Sequence, residues 1–64
     1  MGDHYYSIQH YDQTGGLTYF NVLADSETQA IVKFNNWVRE QKRGAPLYDF
    51  NPKFGDIYEI KMVR

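Results

Sequence analysis

Asp3, His4, His10 and Asp12 are the residues whose types could hold a metal ion or move a proton, and all lie near the start of the chain. Imidazole and carboxylate are good ligands when several converge on one point. Here the two histidines fall on one tyrosine-rich stretch, six positions apart. In an extended strand at about 3.3 Å per residue their α-carbons would be about 20 Å apart. They cannot share an ion without a third element between them, so the reading is no metal site. Nucleophilic chemistry fares no better. The chain has no cysteine, and Ser7 and Ser26 lack a base and a group to orient that base. Gly15-Gly16 belongs to a hairpin, not to a strand-to-helix junction, so it is no phosphate loop. The expectation is a protein without enzymatic activity, metal or cofactor.

Tyrosine offers a different chemistry. Six tyrosines, four phenylalanines and one tryptophan stand among 64 residues. Tyr brings large contact area at small entropic cost, and interfaces use it for that reason. Tyr5, Gln9, Tyr11, Tyr19, Asn21 and Lys61 are the candidate partner-binding residues. The partner would be another protein or a second copy of the chain. The alternative is nucleic acid, held by Lys33, Arg39, Lys42 and Arg43 with sheet aromatics for base stacking. Seven basic residues against eight acidic ones give a formal charge of −1. That argues against binding driven by overall positive charge.

The element that must position these residues runs from Leu23 to Gly44. Asp25 or Ser26 can serve as N-cap, and if Ser26 does, Gln29 three positions later can reach back to the cap N–H. Asp25 and Glu27 sit at the positive end of the helix dipole, and Arg39, Lys42 and Arg43 at the negative end. Gly44 suits a left-handed closing residue, and Pro46 stops continuation. At 100° per residue Ala30, Phe34, Trp37, Val38 and Gln41 share one side, with Glu27 and Ile31 nearby. A helix over 26–43 therefore lays an apolar stripe on a sheet, with Trp37 as core anchor.

Three strands are expected, at 4–11, 17–23 and 57–63, with a turn at Asp12–Gly16. His4, Tyr6, Ile8 and His10 should face the helix, as should Thr18, Phe20 and Val22, and then Tyr58, Ile60 and Met62. The reverse side should carry Tyr5, Ser7, Gln9, Tyr11, Tyr19, Asn21, Ile57, Glu59, Lys61 and Val63. Residues 45–56 read as an ordered loop in which Leu47, Phe50 and Phe54 plug one end, with room for a short strand at Leu47–Phe50.

The whole is a single domain, 1–64, of the α/β class and α+β type. It is a two-layer sandwich in the order β-β-α-β, one helix packed on a three-stranded, mainly antiparallel sheet. Placing the last strand beside the first, order 2-1-3, centres the most aromatic strand. The last strand beside the second, as a parallel neighbour, is the other option. No apolar run spans a bilayer, and the lack of cysteine suits a reducing, cytoplasmic setting.

Overall fold

The computed structural model describes residues 4–44 and 50–64. Asp3, Leu47 and most of the short strand expected at 47–50 lie outside the described residues. The order is β1 (His4–Tyr11), β2 (Leu17–Ala24), α1 (Glu27–Arg43) and β3 (Ile57–Met62). The sheet order is β2-β1-β3, with β1 antiparallel to both neighbours. This is the α+β sandwich read from the sequence, with the tyrosine-rich strand in the middle.

The helix start follows from its first residues. The Ser26 hydroxyl accepts from the Gln29 N–H at 3.1 Å. The Gln29 amide oxygen reaches past the cap to the Asp25 N–H, 2.6 Å away, one residue earlier than the capping-box reading placed it. The other end departs from expectation as well. Gly44 closes the helix at φ −102°, not in the left-handed region, with its N–H donating to the Lys42 carbonyl. A tightened last turn satisfies that carbonyl without a left-handed residue.

The core lies between α1 and the β1–β2 half of the sheet. Ala30, Phe34 and Val38 pack from the helix, Tyr6, Ile8 and His10 from β1, Ala24 from the end of β2, and Phe54 from the last loop. The Phe34 ring lies 4.6 Å from His10, 5.5 Å from Phe20 and 6.0 Å from Trp37, centroid to centroid. Trp37 is half-buried and packs against this cluster, as a core anchor should. Gln41, expected on the same stripe, is exposed.

The loop after α1 closes the end of the sandwich near the hairpin turn. Phe50 stacks on Phe54 at 5.1 Å, and Phe54 meets the edge of Trp37 at 6.4 Å. Backbone bonds fasten this segment to the hairpin: the Asn51 N–H donates to the Gln13 carbonyl, and the Gly55 N–H to that of Tyr11, both at 3.0 Å. The plug is therefore tied by main chain as well as by its rings.

β3 corrects the alternation expected of it. Gln9 pairs with Glu59 but His10 with Ile57, so Tyr58 is the extra residue of a bulge. A bulge exchanges the faces of residues on its two sides. Ile57 therefore shares the helix side with His10, and the Tyr58 ring meets Tyr11 on the reverse, the opposite of the period-2 assignment. Met62 lies on the helix side opposite Tyr6 yet is 59% exposed, because the buried face of α1 is packed over β1 and β2. Of the three residues expected to face inward from β3, Ile60 alone packs against the core.

Candidate functional site: the open face of the sheet

β1 builds the centre of the face that α1 leaves uncovered. Its residues Tyr5, Ser7, Gln9 and Tyr11 stand opposite Leu23, Asn21, Tyr19 and Leu17 of β2. On the other flank Ser7 meets Lys61 and Gln9 meets Glu59. Lys61 and Glu59 form an exposed ion pair at 3.8 Å, a contact worth little in stability. The middle of the face is thus polar: Ser7, Gln9, Asn21, Glu59 and Lys61.

Its two ends are not. Tyr11 meets Tyr58 edge-on, centroids 6.4 Å apart at 87°, and the Lys53 ammonium sits 5.3 Å over the Tyr11 ring. Leu17 and Tyr19 extend this end, and Tyr19 is 62% exposed. At the far end Tyr5 lies between Leu23 and Val63, whose N–H donates to the Tyr5 carbonyl at 2.6 Å. Leu17 and Leu23 fall on this side by the alternation of β2, whereas Tyr58 reaches it only through the bulge, which the sequence does not show.

No family profile, curated protein or solved structure matches this chain. Its function has to be argued from its own geometry.

The histidines stay apart, as the strand spacing required. His4 stands edge-on to Tyr6 at 6.3 Å. His10 is buried against Phe34 and Trp37; its Nδ1 lies 3.2 Å from the Ile8 carbonyl, and its Nε2 has no hydrogen-bond partner among the described residues. No cluster of three metal-ligating side chains occurs among the described residues.

Asp12 is occupied with the turn. Its Oδ1 accepts from the Thr14 hydroxyl at 2.8 Å, the Thr14 N–H at 2.9 Å and the Gly16 N–H at 2.9 Å. Gly15 supplies the positive φ, +92°, that closes the loop. The Thr14 hydroxyl, helped by the turn's N–H groups, holds the Asp12 carboxyl below the ordinary carboxylate value. A carboxyl with a lowered folded-state pKa stabilises above the unfolded value, about 3.9, and loses that contribution as pH falls through the folded one. Wild type should therefore melt above an Asp12→Ala variant at neutral pH, and the gap should narrow below about pH 4. Thermal melts of both proteins across that range check it; a gap unchanged by acid would contradict the assignment.

Lys33 is set apart from the other three basic residues of the helix. Lys33 donates from its ammonium to the Leu23 carbonyl at 2.7 Å, at the end of β2. Arg39 bonds Asn36 at 3.1 Å, Arg43 pairs with Glu40 at 3.2 Å, and Lys42 lies 5.4 Å over the Phe54 ring. With a rise of about 1.5 Å per residue, Lys33 stands about 9–15 Å from the other three along the helix axis. Among the described residues, no helix is long and apolar enough to cross a membrane.

Proposed function

We propose that this chain is a small non-enzymatic protein-interaction module, an inhibitor, adaptor or assembly subunit, that docks through the open face of its sheet. The observation that supports this reading is the arrangement of that face. Tyrosines and leucines cluster at both ends, and hydrogen-bonding side chains occupy the middle. Tyrosine anchors give a partner apolar area, while Gln9, Asn21 and Lys61 fix register by hydrogen bonding. The strands hold the backbone beneath these side chains, so docking orders no loop, and each tyrosine has few rotatable bonds to lose. The partner is another protein or a second copy, met in a reducing compartment such as the cytoplasm, where a cysteine-free chain is at ease.

Changing Tyr5, Tyr11 and Tyr19 together to Ser tests the reading. Each aromatic anchor of an interface contributes roughly 1 kcal/mol or more. The triple variant should bind at least about 100-fold more weakly than wild type while melting cooperatively. Affinity chromatography and light scattering on both proteins provide the comparison. Undiminished association in a folded triple variant would remove the open face from the account.

A further inference from the structure

The outer margin of β2 carries hydrogen-bonding groups that no strand uses. The Asp12 N–H donates to the Gly16 carbonyl at 2.7 Å, which fixes the phase of the β1–β2 ladder. With Asp12 opposite Gly16, alternation aims the backbone groups of even-numbered β2 residues at β1. Those of Leu17, Tyr19, Asn21 and Leu23 point away, along the edge of the sheet. One outward group is covered: the Leu23 carbonyl, by the Lys33 ammonium. From Leu17 to Asn21 no partner for them occurs among the described residues.

The two margins are built differently. β3 is six residues long, bulged, and bears Glu59 and Lys61, the features that discourage edge-to-edge pairing. β2 is eight residues long and regular in its pairing with β1, and L-T-Y-F-N-V-L-A holds no charge and no proline. An uncharged edge strand meets no like charge in its own copy. We propose that β2 pairs antiparallel with β2 of a second copy of this chain, about a two-fold axis at Tyr19, joining two three-stranded sheets into one of six strands.

Lys33 selects the register. A two-fold at Tyr19 sets Tyr19 opposite the second copy's Tyr19, and Leu17 opposite its Asn21. All the outward groups used are then the uncovered ones, and the Lys33–Leu23 bond stays intact. A two-fold nearer Leu23 would have to break that bond. Domains of this size bury a smaller share of their unfolded surface than larger ones do, about 60%, so added strand pairing has a large relative effect. The inference goes beyond the open-face reading, because it uses the margin of the sheet and not the Tyr5–Tyr11 surface.

The cysteine-free chain makes the test clean. Opposed residues of a hydrogen-bonded antiparallel pair have α-carbons about 5.5 Å apart, within disulfide range. A Tyr19→Cys variant should form a covalent dimer under mild oxidation, while Met62→Cys on the opposite margin stays monomeric. Light scattering of wild type should show a doubled mass as concentration rises, and Tyr19→Lys, with like charges facing across the axis, should abolish it while keeping a cooperative melt. Wild type that is monomeric across the whole concentration series overturns the proposal. So does a dimer in which Tyr19→Cys links no faster than Met62→Cys, the result expected if the margin serves an extended segment of another protein. Tyr19 also lies on the open face, so a Tyr5→Ser, Tyr11→Ser variant separates the two surfaces: it should still double its mass, and loss of the dimer in this folded variant would overturn the β2 pairing.

Discussion

Phe34→Ala should come close to unfolding the protein. The Phe34 side chain is fully buried and packs against the rings of His10, Phe20 and Trp37, so its removal leaves a cavity in an aromatic cluster that joins helix to sheet. Such truncations cost about 3–5 kcal/mol. A domain of this length has about 3–10 kcal/mol of stability in total, at the usual 0.05–0.15 kcal/mol per residue. The midpoint of thermal unfolding should fall by about 12–40 °C. The same change at Val32, exposed on the far side of α1, should stay within about 0.5 kcal/mol. Circular dichroism melts of the two variants make the comparison. Equal effects would mean that the aromatic cluster does not hold the layers together.

Gly55→Ala should also destabilise the fold strongly. Gly55 has φ +92°, a conformation that costs an L-residue about 1–2 kcal/mol. An added Cβ would stand 2.8 Å from Cγ1 of Val38, a residue packed in the core. The backbone cannot move aside easily, because Gly55 and Asp56 are bonded to the main chain of Tyr11. Overpacking adds about 1–3 kcal/mol, for a total of about 2–5 kcal/mol. Gly44→Ala is the contrast. There φ is negative and a Cβ would meet nothing within 4 Å, so the change should be neutral or stabilise by up to about 1 kcal/mol. Denaturant midpoints of the two alanine variants decide this. A Gly55→Ala, Val38→Ala double variant should lose less than the sum of the singles, since the smaller side chain relieves the clash.

What could be read from the sequence divides along the range of the interactions involved. The Ser26 cap, the turn at Asp12–Gly16 and the buried positions Ala30, Phe34 and Val38 follow from neighbours a few residues apart. Local chemistry announces them. The strand order is legible on a different ground, the aromatic content of β1, which favours a central place. The faces of Ile57 and Tyr58 were not legible. I-Y-E-I-K-M-V alternates cleanly, and the bulge that inverts its first two residues arises where β3 meets β1, not within β3. That the bare α-carbon of Gly55 is pressed on Val38 depends on how the last loop packs against the helix. Lys33 looked like one more helix-surface cation, and its bond to the end of β2 exists only once the layers are stacked.

The open face was legible as a list of residues but not as a shape. Tyr5, Gln9, Tyr11, Tyr19, Asn21 and Lys61 do share one side of the sheet. Their division into aromatic ends and a polar middle needed the register of both ladders. Tyr58 joins the Tyr11 end through the bulge, which makes that end the richer of the two in rings.

The most direct test of the docking surface is a map of which side chains lose access to a soluble paramagnetic probe when the protein associates, read from its NMR spectrum. Free in dilute solution, the rings of Tyr19 and Tyr58 should broaden strongly while Phe34, Ile8 and His10 stay sharp. On association, protection should appear at Tyr5, Tyr11, Tyr19 and Asn21. Protection confined to the exposed side of α1, with those four residues as accessible as before, would contradict the account.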